Sequence, residues 1–264
     1  MTNAAANVTK HVRHDVKATI YALINPLKAF RDELSSISIM TPIFFIVLVA
    51  FFSAQLQLSK IDWESAAVEQ FYSVPGETAP PFKADRLSYA LEADKQDILA
   101  LKSELEAQAR WSPLMAAAIM PIQMLVLSAL FFFIIRMTGK QVAFLKVSKL
   151  LLSAYIWPLL SLSFVFYFTY RDVELLTLSQ MKLASVTSIV SYMSNLSEVW
   201  STVLSSIDLV NLWLVSLTYI ALTRGLNLSQ KFSAIMLLGL WVGYITLKYL
   251  VYVMIVADCI ACNV

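Results

Sequence analysis

The sequence predicts an all-α polytopic membrane protein with five transmembrane helices, an N-terminal interfacial amphipathic helix and one extracytoplasmic helical insertion. Three observations lead there. Hydrophobic residues make up 59% of the 264-residue chain and charged residues only 14%, with a mean hydropathy of +0.69. Apolar runs of about 20 residues recur, the length a helix needs to cross a hydrocarbon core of about 30 Å. Basic connections between these runs alternate with acidic or mixed ones, as the preference of Lys and Arg for the cytoplasmic side requires. The net charge of +2 is too small, and the basic residues too little interleaved with aromatics, for a nucleic-acid partner.

Residues 1–38 are the cytoplasmic amphipathic segment. Val8, Val12, Val16, Ile20, Leu23, Leu27, Phe30 and Leu34 recur at spacings of three and four, which places them on one helical face. Lys10, Arg13, Lys17, Lys28 and Arg31 lie around the other face, so the segment suits the surface of an anionic leaflet. Partner binding or packing in the core is the alternative. Asn25-Pro26 divides it into two helices, with Asn25 as the cap of the second. No short apolar region with a cleavage site precedes the first run, so that run is expected to stay in the mature protein.

Span one is 39–58, with Pro42 near its start. The polar insertion 59–110 follows, with ten acidic residues against six basic ones. Trp63, Phe71 and Tyr72 suit membrane-surface anchors, and the Pro- and Gly-containing stretch 74–81 cannot continue a helix. From 85 to 110 there is no Pro or Gly, and Ala, Leu, Glu, Lys and Gln dominate, which predicts a helix about 39 Å long. Leu91, Ile98 and Leu105 repeat every seven residues; Leu87 and Leu101 begin a second seam that Asp94 and Gln108 break. Such a helix either stands up as a coil for a partner or folds down on its own domain.

Residues 111–257 hold spans two to five. Span two starts at Ser112-Pro113, with Ser112 as its N-cap and Pro113 in its first turn, and ends near Arg136, with Pro121 expected to kink it and Gly139 to end it. The connection 136–149 carries Arg136, Lys140, Lys146 and Lys149 and no acid. Span three is 150–170, around Pro158; 171–206 is polar enough to lie in the outer interface; span four is 207–223; and Ser229 caps span five at 232–257. The tail 258–264 is then extracytoplasmic and the N-terminus cytoplasmic, since every basic connection falls on one side only with five spans.

Several of these stretches resemble a known family. Asn25-Pro26-Leu27, Thr138-Gly139-Lys140, Ala154-Tyr155-Ile156-Trp157-Pro158, the run from Ile207-Asp208-Leu209 to Trp213, and Leu228-Ser229-Gln230-Lys231 are together similar to the bacterial branch of the Yip (Ypt-interacting-protein) domain family. The resemblance spans about Asn25 to Val256 and implies a five-span protein of the bacterial cytoplasmic (inner) membrane without catalytic residues. Eukaryotic relatives are tied to Rab-type GTPases, and the patterns that go with that role are not evident here. Bacterial members look like accessory proteins of the envelope, some linked to ABC-type exporters. The insertion 59–110 is longer than a minimal member needs.

Candidate sites are few. Lys248 is the charge deepest inside a predicted span, with Asp208 and Asn211 as its expected partners and snorkelling as the simpler fate. Gly239 and Gly243 permit close helix approach, within the bundle or between two copies in a homo-oligomer. Cys259 and Cys262 are the only cysteines, and their spacing suits a disulfide, thiol exchange or half a metal site. His11 and His14 would be half a zinc site, with no third ligand evident. No catalytic triad, phosphate loop, metal set or cofactor motif stands out. The expected function is therefore a non-enzymatic scaffold or assembly factor in the lipid bilayer. Leu91, Ile98, Leu101 and Leu105 would meet an envelope protein such as an ABC-type exporter or its periplasmic adaptor. The alternative is a small-solute or lipid transporter with Gln123, Asn211 and Lys248 around a cavity.

Overall fold

A computed structural model describes residues 14–34, 37–71, 92–173, 175–176, 204 and 208–261. Among them every regular element is a helix, apart from an isolated bridge between Ile61 and Leu176. Helix α1 covers 14–24. Helix α2, Pro26–Lys28, runs on into a π-helical turn, Ala29–Glu33. The Asn25 side chain accepts the Lys28 N–H at 3.2 Å, so Asn25 is the expected cap, and Pro26 sits where a missing donor costs nothing.

The next elements are α3 (Met40–Leu58), α4 (Trp63–Phe71), α5 (Glu92–Ala109), α6 (Ser112–Met137) and α7 (Phe144–Tyr170). After them come α8 (Leu209–Ile220), extended by a second π-helical turn Ala221–Gly225, and α9 (Gln230–Ala261). Four helices, namely α3, α6, α7 and the Gln230–Leu247 part of α9, are long and apolar enough to cross a membrane; α8 with its π turn is a shorter apolar helix. The chain is an all-helical membrane protein.

Helices α3, α6 and α7 pack against one another, α8 lies on α7, and α9 meets α8. Ile46, Val49 and Ala50 of α3 interlock with Met124 of α6 and with Leu152, Ile156 and Leu159 of α7. Towards the other end of α6 and α7, the two π turns meet around Phe30, Leu34, Ile135, Leu150 and Leu222. In hydrocarbon such packing holds by van der Waals fit, because lipid tails are as apolar as the side chains. The outward faces carry Phe44, Phe52, Ile122, Val126, Phe133, Phe168 and Ile235, all exposed. That apolar belt suits lipid and no aqueous surface. Ser128 and Ser153 are reconciled with these helices by donating to the carbonyls of Met124 and Lys149, each at 2.7 Å.

Several boundaries move from where the sequence put them. Helix α7 begins at Phe144 and not at 150, because Val147 is buried with Leu150 in the core. Lys146 and Lys149 are therefore helical and the connection shrinks to 138–143. Ser112 is the first residue of α6 and not its cap; Trp111 holds that position without a side-chain bond. Helix α4 was not anticipated at all. Gly139 ends α6 as expected, at φ +78° with its N–H on the Arg136 carbonyl at 3.0 Å. Ser229 also caps as expected, its hydroxyl accepting the Phe232 N–H at 3.4 Å. Most of 171–206, the stretch expected in the outer interface, lies outside the described residues, as do 1–13 and 262–264.

Candidate functional site

The polar insertion builds a helical hairpin. Asp62 starts α4: its Oδ1 accepts the N–H groups of Glu64 and Ser65, each at 3.1 Å, and its Oδ2 accepts the Ser65 hydroxyl at 2.6 Å. The hairpin's root is fastened to the end of α7. Asp62 N–H donates to the Leu176 carbonyl at 2.9 Å and Leu176 N–H to the Lys60 carbonyl at 2.6 Å. Lys60 Nζ donates to the carbonyls of Val173 at 2.7 Å and Arg171 at 3.4 Å. A cation placed just past a helix C-terminus also opposes the helix dipole.

Within the hairpin, Ile98 of α5 closes on Ala67 and Val68 of α4, with Phe71, Leu101 and Leu105 packed around them. Ile98 is only 1% exposed. The seam expected to greet a partner is thus used inside the chain, which corrects the reading of Ile98, Leu101 and Leu105 as a free surface. The physical reason is proximity: α4 supplies an apolar face at far lower entropic cost than a second molecule can. Leu91 lies outside the described residues. The Lys102–Glu64 pair, 4.0 Å apart and partly exposed, adds little. What α5 turns outward is Leu99, 53% exposed. At the hairpin's root, Gln55, Leu58, Ser59, Trp63, Glu106, Ala109 and Arg110 line a hollow of about 540 Å³. Glu106 and Arg110 stand one turn apart on it and offer both charges beside an indole.

The remaining candidates disperse. Asp208 is buried as the cap of α8, its Oδ1 accepting the Val210 N–H at 2.8 Å. Asn211 lines a mainly apolar crevice between α8 and α9 with Val215, Tyr219, Leu238 and Trp241. Lys248 lies in α9, but its side chain is not among those described, so its pairing with Asp208 or Asn211 is outside the described structure. Gln123 is exposed on α6. Among the described residues nothing lies within 4 Å of where a Cβ on Gly239 or Gly243 would stand, so no described helix packs on this pair. Cys259 is in the last turn of α9, and Cys262 and His11 fall outside the described residues.

Sequence reasoning missed two residues. A Cβ on Gly225 would fall 2.6 Å from a Leu150 methyl and 3.2 Å from the Phe30 carbonyl, so the two π turns meet because this residue is Gly. Asp15 accepts the Thr41 hydroxyl at 2.8 Å and the Ser38 N–H at 3.1 Å. His14 Nδ1 stands 3.7 Å from its other oxygen. A carboxylate alone among basic residues was the only available signal. Comparison with protein-family models, curated proteins and solved structures finds no match to this chain.

Proposed function

We propose that this protein is a non-enzymatic scaffold or assembly factor of the bacterial inner membrane, meeting an envelope partner through the 59–110 segment. The supporting observation is the hairpin itself. Helices α4 and α5 carry their own small core, and Lys60 and Asp62 at their root are bound to Arg171, Val173 and Leu176 just past α7, so they present a polar platform at the membrane edge. Stiff elements bind with less ordering cost than loops do. In this reading the recognition surface is Leu99 with the Trp63, Glu106 and Arg110 hollow, and Ile98 and Leu105 hold the platform's shape.

Taking α8 with its π turn as the fifth crossing, at the short end of the usual range, leaves the N-terminus cytoplasmic and the hairpin outside. That topology and the resemblance to bacterial Yip-domain proteins favour a partner such as an ABC-type exporter or its periplasmic adaptor. The transporter alternative would need Gln123, Asn211 and Lys248 around one cavity, whereas Gln123 is exposed on α6 and Asn211 sits in the α8–α9 crevice. The test is photo-crosslinking in native membranes from probes at Leu99 and Gln96, followed by mass spectrometry. A single protein adduct that Arg110→Glu removes supports the reading. Adducts to lipid alone, or protein adducts untouched by Arg110→Glu, refute it.

A further inference from the structure

Helix α1 with the first turn of α2 has three faces where the sequence pattern suggested two. The first is small and polar and turns inward: Asp15, Ala18, Thr19 and Ala22 are buried. It is locked at two points. The Asp15 carboxylate holds the Ser38 N–H and the Thr41 hydroxyl at the start of α3, and the Thr19 carbonyl accepts the Trp157 indole N–H of α7 at 3.1 Å. The second face is an apolar strip, Ile20, Leu23, Ile24 and Leu27, whose members are between 46% and 75% exposed. The third flanks that strip with Lys17, Tyr21 and Lys28. Both lysines are exposed, and Lys28 Nζ lies 5.9 Å from the centre of the Tyr21 ring.

We propose that α1 and the first turn of α2 form a docking surface for anionic phospholipid. Charge and position argue for this occupant. Asp15 is the only carboxylate between 14 and 31, and it is consumed at the start of α3, so the outward charge of this stretch is positive. The same two hydrogen bonds hold α1 beside the first turn of α3, the end of a helix long and apolar enough to cross a membrane. An apolar strip beside such an end enters the acyl region while flanking lysines reach headgroup phosphates. Because the inward face is already clamped to the bundle, the helix backbone needs no further ordering when lipid binds. Each lysine near an anionic surface contributes about fivefold in local lipid preference, and salt weakens it. The surface is independent of whatever partner the hairpin meets.

Hydrogen exchange of the full-length protein in nanodiscs tests it. Discs of phosphatidylcholine alone are compared with discs in which about a third of the lipid is phosphatidylglycerol. Amides of 17–28 are expected to exchange several-fold more slowly with phosphatidylglycerol present, and those of the middle of α6 to stay unchanged. Lys17→Gln with Lys28→Gln abolishes the difference, whereas Lys17→Arg with Lys28→Arg keeps it. Both lysines are exposed, so the bundle is expected to survive these changes, and an unchanged melting temperature verifies it. Exchange indifferent to phosphatidylglycerol in the wild type, or a dependence that persists in the double Gln variant, overturns the proposal.

Discussion

Truncating Ile98 to Ala separates a hairpin that holds itself together from one that waits for a partner. Ile98 is almost fully buried against Ala67 and Val68, the other buried members of that small cluster, and it is the largest of the three. Removing a buried Ile branch costs about 2–5 kcal/mol, depending on how far the site can collapse. Here the rim of Phe71, Leu101 and Leu105 is partly open and can close in, so the low end applies, about 2 kcal/mol. That is roughly a 30-fold shift in the local opening equilibrium, confined to α4 and α5 because the clusters of the membrane bundle share no residue with it. Amide exchange across 63–71 and 92–109, in detergent and without any partner, should accelerate by that factor while α3 and α6 keep their rates. Leu99→Ala, one residue along and 53% exposed, is the control and should change exchange by less than about twofold. Equal exchange in wild type and Ile98→Ala, or equal effects of the two substitutions, would show that the seam is not an internal contact.

Three further outcomes follow from the bundle. Gly225→Ala should lower stability by about 2 kcal/mol, since the Leu150 methyls can turn aside but the Phe30 carbonyl cannot; Gly239→Ala, which meets nothing, should hold or slightly raise the melting temperature in detergent. Asp15→Ala removes the acceptor of the Thr41 hydroxyl and the Ser38 N–H, both part-buried, and should cost about 1–2 kcal/mol, whereas Asp15→Asn keeps an acceptor oxygen and should cost less, ranked by the same thermal assay. The hydroxyls of Ser148 and Ser233 are buried without a hydrogen-bond partner among the described residues, so Ser→Ala at either should stabilise by about 1 kcal/mol. A lower melting temperature there would reveal a partner.

Caps and crossings were legible because they are local. Asn25-Pro26, Thr138-Gly139 and Ser229 announce helix ends through groups within one turn, and each does what its chemistry suggests. Asp62 is equally local, with its side chain three residues ahead of Ser65, but Trp63 and Phe71 after it suit surface anchors as well as a helix. The apolar runs in α3, α6, α7 and α9 marked themselves by length alone. Of the candidate partner surface, the helix was legible and its orientation was not. A heptad seam says that some apolar face is waiting, and α4, which the sequence reading left unformed, is what covers it.

Composition and run length made this chain a bundle of membrane-crossing helices with a polar interruption. Tertiary structure alone decided which faces meet. The clamp on α1 joins Asp15 to Thr41, 26 residues away, and Thr19 to Trp157, 138 residues away. Likewise, Gly225 is the glycine that the described helices pack against. The reason lies in the solvent. In water, apolar periodicity points inward, because only the interior is oily. In a bilayer the surroundings are as apolar as the core, so the pattern that reveals a helix is silent about which of its sides another helix will touch.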